Sequence, residues 1–189
     1  MTRLITAAVL VIASAGDAAA QTNPSPSWTF GGTGGYGRTW DDEGQIGSGV
    51  LIGAYADRRI YRRTDLELSV DYLRHRRSAG ESGFFEAEGH TTFLTGAVVQ
   101  RFGGSEAHGY VQAGLTVGIH SGTAGFPIDN LVTDTDSTNS GLMVGAGFSF
   151  RAGSDYEVGP MVKVVVLRAD RDSDPARAIM GGIRIGFRR

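Results

Sequence analysis

No cysteine occurs among the 189 residues. That removes disulfides, thiolate metal sites and a lipid-modified N-terminal cysteine as ways of holding the chain together or to a surface. Charge of one sign is lacking too: the formal net charge is −2, and no basic stripe interleaved with aromatics offers a nucleic-acid surface. Beyond residue 20 no run of roughly 18 apolar residues exists, so transmembrane helices are excluded. If the mature chain holds to a membrane, its own fold must do it.

Glycine, by contrast, is abundant: 29 residues, about twice the usual share and without a collagen period. From Trp28 onward the sequence breaks into segments of about ten residues in which every second side chain is apolar. Val111, Ala113, Leu115, Val117 and Ile119 alternate with Gln112, Gly114, Thr116, Gly118 and His120. Leu142, Val144, Ala146, Phe148 and Phe150 alternate with Gly141, Met143, Gly145, Gly147, Ser149 and Arg151. The polar face of a half-buried soluble strand is normally stocked with Lys, Glu and Thr, because glycine costs backbone entropy and packs nothing. A face of Gly, Ser and Thr with an occasional charge suits a narrow enclosed lumen.

Arg3, the apolar run Leu4 to Ala15 and the small residues Ala18-Ala19-Ala20 read as a secretory signal peptide over residues 1–20, cleaved after Ala20. Residues 21–27 form a short Pro/Ser/Asn lead-in, and residues 28–189 are the length of one domain. Eight strands fit that domain: Trp28 to Thr39, Ile46 to Ala56, Thr64 to Arg74, Phe85 to Phe102, Gly109 to His120, Asn139 to Arg151, Tyr156 to Leu167 and Arg177 to Phe187. The expectation is an all-β fold, an eight-stranded antiparallel up-and-down transmembrane β-barrel. Connections after strands two, four and six are short and those after three, five and seven longer, which predicts short periplasmic turns and longer extracellular loops. Arg58, Arg59, Arg62 and Arg63 are assigned to a turn, and Ser121 to Thr138 to the longest loop. In strand four, Phe93, Ala97 and Val99 are expected on the face opposite Glu88, His90, Thr92 and Gln100. Trp28, Tyr36, Trp40, Tyr72, Phe148 and Phe187 are expected to form aromatic girdles.

Catalytic and metal signatures fail on inspection. Gly32-Thr33-Gly34-Gly35-Tyr36-Gly37 satisfies a dinucleotide pattern but lies within a strand, with no helix to follow. Asp170, Asp172 and Asp174 open like a calcium loop, yet Pro175 stands where glycine is needed and Gly181 where a bidentate Glu is needed. The four histidines show no triad or metal spacing: His120 and Ser121 are adjacent and point to opposite faces, and His90 is expected to hydrogen-bond in the lumen. No catalytic residue, metal or cofactor is therefore expected. The inward charges Glu67, Asp71, Glu88, Arg151, Glu157, Lys163 and Arg184 are expected to form a structural salt-bridge network, since buried charges persist only when paired. Arg74, Arg76 and Arg77 could contact lipopolysaccharide phosphates from the outer end of strand three.

The signal peptide, the eight amphipathic strands and the C-terminal run resemble the small eight-stranded outer-membrane barrels of the OmpA/OmpX/OmpW type, over essentially the whole mature chain. That family ends in a recognition pattern for barrel assembly: glycine, two free positions, an apolar residue, a free position, then an aromatic. Gly182, Ile185 and Phe187 fit it, although the family usually ends on the aromatic and here Arg188 and Arg189 follow. The resemblance implies a cell outer-membrane location, with outer-membrane lipid including lipopolysaccharide and the barrel-assembly machinery as partners and no nucleic acid. It implies a structural, surface-interaction or small-solute role. Two alternatives stay open: a lipid-A-modifying enzyme, and a secreted soluble barrel binding an apolar ligand.

Overall fold

The structure is a computed structural model that describes residues 27–41, 44–79, 85–126, 131–168 and 176–189. The expected signal peptide, all but the last residue of the lead-in, the Asp42-Glu43 part of the first loop and the Asp170, Asp172, Asp174 segment lie outside the described residues. The elements are β1 (Trp28–Asp41), β2 (Gly44–Tyr61), β3 (Thr64–Ala79), β4 (Phe85–Gly103), β5 (Ala107–Phe126), β6 (Leu131–Ala152), β7 (Tyr156–Leu167) and β8 (Arg177–Arg188). Each strand pairs antiparallel with the next, and β8 returns to β1 to close a barrel. Closure leaves the barrel wall without an open edge.

The alternation read in the sequence is the alternation of faces. Leu66, Leu68 and Val70 on β3, Leu115 and Val117 on β5, Val162 and Val166 on β7, and Ile179, Ile183 and Ile185 on β8 all point outward and are exposed, Leu68 and Leu115 to 70%. A continuous apolar belt of this extent is a surface made for hydrocarbon, not for water. Near the short-turn end it passes into a ring of aromatics. Trp28 stacks on Phe30 at 5.7 Å, Phe148 lies 4.7 Å from Phe150, and Tyr156 lies 5.3 Å from Phe187.

Glycine has its cause at close approaches of backbone. On the β1–β8 ladder Gly35 faces Gly182, and a Cβ on either would collide with a backbone carbonyl oxygen of the neighbouring strand. At the β6–β7 turn, Gly153 has φ 81°, which a side chain would disfavour. Proline marks the other exception to the ladder. Pro160, outward on β7, has no N–H to give to β6, and register partners lapse between Gly147↔Met161 and Phe150↔Val158.

Four expectations are corrected. Strand four is reversed: Phe93, Ala97 and Val99 point into the lumen and are buried, while Leu94 faces out. His90 consequently lies on the outer face, stacked on Tyr72 at 5.2 Å. Arg58 and Arg59 belong to β2, and only Arg62 and Arg63 form its turn to β3. The segment Ser121 to Thr138 is mostly strand, with Ser121 paired to Asp136 and Phe126 to Leu131. No additional strand arises there among the described residues, because the same hairpin simply continues. As a result β3 to β6 rise beyond the rest of the barrel as an open sheet. The β6–β7 pairing stops at Gly141↔Leu167, with one further bond from Arg168 N to Ser140 O at 2.7 Å, so residues 131–139 are laddered to β5 alone among the described residues.

Candidate functional site

Inward positions near the short-turn half of the barrel carry charges, because the strands there alternate Asp or Glu with apolar residues: Asp57 on β2, Asp65, Glu67 and Asp71 on β3, Glu157 on β7. Five cations meet these five carboxylates. Arg184 on β8 donates from Nη1 to Glu67 Oε2 and from Nη2 to Asp57 Oδ2, each at 2.5 Å. Lys163 on β7 donates to Asp71 Oδ2 at 2.7 Å, and Thr33 Oγ1 donates to the other oxygen of that carboxylate at 3.1 Å. Arg101 on β4 reaches three acids, Asp65 at 2.5 Å and Asp57 and Glu157 at 3.2 Å. Arg59 bonds Asp65, and Arg188 bonds Glu157 at 3.2 Å.

This ladder is dry and dense. Asp57, Asp65, Glu67, Asp71 and Lys163 are each 1% exposed, so every charge depends on its partner. The Arg184 guanidinium lies 3.5 Å from the Tyr55 ring centroid and 5.3 Å from that of Tyr110, a geometry in which π-faces stabilise a desolvated cation. Arg101 Nη1 sits 2.7 Å from His108 Nε2; guanidinium has only protons to give, so that imidazole nitrogen accepts. Seven buried side-chain polar atoms find no hydrogen-bond partner among the described residues, including both ends of the Gln112 amide and the hydroxyls of Tyr55 and Tyr110.

One inward step beyond Asp71 and Lys163 the chemistry changes. Leu51, Leu73, Phe93, Met143, Val165 and Met180 are almost wholly buried and fill the section. Above them, at the long-hairpin end, Phe93, Gly118, Leu167 and Ala178 floor a cavity of about 110 Å³ whose polar lining is Thr39, Thr91, His120, Ser137, Asn139 and Arg177. Thr91 Oγ1 and His120 Nδ1 are 3.1 Å apart there. Among the described residues no group of three or more His, Asp or Glu side chains is arranged to hold a metal ion.

No protein-family model matches the sequence, and no curated protein matches it either. Solved structures do match, by shape. Neisserial surface protein A superposes with a TM-score of 0.67 at 11% identity, covering 88% of this chain and 99% of that one. A major outer membrane protein from Thermus thermophilus gives 0.59 at 13% identity, covering 86% and 99%. Ail, the attachment invasion locus protein of Yersinia pestis, gives 0.58 at 12% identity, covering 88% and 100%, in a complex with the heparin analogue sucrose octasulfate. The chain has the fold of the small eight-stranded outer-membrane barrels.

In this outer-membrane-type barrel, Glu67, Asp71, Glu157, Lys163 and Arg184 are brought into one buried network, and two of the expected members are not. Glu88 follows the reversed face of β4 to the exterior, where the Arg74 guanidinium bonds it and holds its carboxyl below the ordinary value. Arg151 has inward parity but sits at the end of β6, half out of the barrel, capping the turn through Gly153 O and Ser154 O and lying 3.6 Å from Glu106. Sequence reading missed Asp57, Asp65 and Arg101, the residues that join the two halves of the network. The signal for Asp57 was the inward series Tyr55, Asp57, Arg59 continuing past the expected end of β2; Asp65 shares the parity of Glu67 on β3, and Arg101 shares that of Phe93, Ala97 and Val99 on β4. In the C-terminal pattern, Gly182 faces Gly35 across the seam while Ile185 and Phe187 point outward. Arg188 and Arg189 continue the ladder, so the strand does not stop at the aromatic.

Proposed function

We propose that the chain is a resident of the cell outer membrane, with its short turns in the periplasm and the β3–β6 extension at the cell surface, serving a structural and surface-interaction role without catalysis. The observation that carries this reading is the sealed lumen. An eight-stranded barrel has an interior that side chains just fill, and here a paired charge ladder and an apolar plug lie in series across it. What stays open to a partner is the surface: the raised sheet, with one edge of β6 unladdered along residues 131–139 among the described residues. Arg74 and Arg76, exposed above the apolar belt, supply guanidiniums at lipopolysaccharide level, and the terminal pattern ending at Phe187 supports delivery by the barrel-assembly machinery.

A second reading is favoured by one feature. The cavity at the outer mouth, apolar below and polar at its rim, has the character of a site for a small amphipathic solute.

Fractionation of cells making the full chain, followed by planar-bilayer recording of the purified barrel, tests the main reading. Folded, heat-modifiable protein is expected in the outer-membrane fraction, with no steady porin-scale conductance. Recovery in the periplasm or medium, or large persistent openings, would overturn it.

A further inference from the structure

Two features of the sequence take little part in the sealed lumen: the outward arginine near the end of β2 and the last residue after Phe187. The ladder brings them together. Trp28, at the start of β1, is in register with Arg58 on β2. On its other side its backbone exchanges both hydrogen bonds with Arg189, at 3.1 and 2.9 Å. All three residues are exposed, and side chains abreast on adjacent strands stand about 5 Å apart at Cβ. Two arginines thus flank one tryptophan in the ladder, one on each side.

Arg58 leans over that indole, its guanidinium carbon 5.6 Å from the ring centroid, and the indole is fixed from below by its stack on Phe30. The nearest strand carboxylates are turned away: Asp57 on β2 and Glu157 on the neighbouring β7 face the lumen and bind Arg184, Arg101 and Arg188. Among the described residues, neither Arg58 nor Arg189 pairs with a carboxylate. The row lies where the apolar belt ends at the short turns, beside Phe187 and Tyr156. At such a boundary, Trp marks the headgroup level of a bilayer.

We propose that Arg58 and Arg189 hold the phosphodiester of an anionic glycerophospholipid of the periplasmic leaflet, with Trp28 packed against its glycerol and first acyl carbons. Guanidinium is the donor best shaped for phosphate, and two of them select a headgroup with net negative charge over a zwitterionic one, whose ammonium group they repel. This site rests on the membrane placement proposed above.

The two tryptophans of the chain are Trp28 and Trp40, at opposite ends of β1, so Trp40→Phe leaves Trp28 as the sole indole reporter. The full chain carrying that change is reconstituted in phosphatidylcholine vesicles holding a minor fraction of phosphatidylglycerol brominated on its acyl chains, or the same fraction of brominated phosphatidylcholine. Brominated phosphatidylglycerol is expected to quench Trp28 more strongly, with a local enrichment on the order of tenfold. Adding Arg58→Gln and Arg189→Gln is expected to abolish the difference and leave quenching by brominated phosphatidylcholine unchanged. Equal quenching by the two lipids in the chain that keeps both arginines would overturn the site while leaving the barrel in its membrane. Absence of quenching by either lipid would overturn the membrane placement, and the site with it.

Discussion

Arg184 holds Asp57 and Glu67 at once, so its replacement by methionine leaves two carboxylates buried without their main partner. The expected cost is roughly 3–5 kcal/mol, measurable by urea unfolding in detergent micelles. Lys163→Met strands Asp71 in the same way, but the double change Lys163→Met with Asp71→Leu removes both charges from a dry site and should recover most of the loss. If the double variant is as unstable as the single one, the pair is not the unit of stabilisation. Gln112 behaves oppositely. Its amide is 3% exposed and has no partner at either end among the described residues, so Gln112→Leu should raise stability by about 1 kcal/mol in the same assay. A fall would show that the amide is satisfied in solution.

At the scale of a strand, the question is which face meets hydrocarbon. Leu115 stands 70% exposed in the middle of β5, and Leu115→Arg should cost about 2–4 kcal/mol and lower the yield of assembled barrel, while Leu115→Val is tolerated. Equal assembly of both would count against the assignment. Phe187 closes the terminal pattern and packs near Tyr156; Phe187→Ala should leave more protein unassembled and open to protease. Faces such as β3, β5 and β7 were legible from sequence because the outward set is apolar throughout while the inward set is broken by charges, glycine or polar residues such as Glu67 and Asp71, Gln112 and Thr116, Glu157 and Lys163. β4 was not legible, since Thr91 to Val99 is apolar or neutral on both faces: Phe93, Ala97 and Val99 plug the lumen while Leu94 and Val98 face lipid. The raised sheet was missed for a related reason. Above a bilayer neither face is selected for grease, so Ser121 to Thr138 carries the Gly, Ser, Thr and Asp of a loop while keeping the hydrogen bonds of a hairpin.

On the scale of the whole molecule, the eight-strand count and the closed topology followed from spacing, but the course of the charge ladder did not. Partners such as Arg101 and Asp57, or Arg184 and Glu67, are far apart in sequence, and only closure brings them across the lumen. That same closure has a consequence in time. Thr29 finds Arg188, and Trp40 finds Arg177, across nearly the full length of the domain, so the seam is the contact with the largest loop-closure entropy and cannot exist before the last strand has been made. Until then β1 and β8 are both adhesive margins. A chain lacking residues 177–189 should accordingly yield no heat-modifiable species and should aggregate, whereas shortening the raised hairpin between Gly122 and Thr135 should leave refolding intact. Until that seam forms the molecule is an unfinished ring, most vulnerable just before the two ends meet.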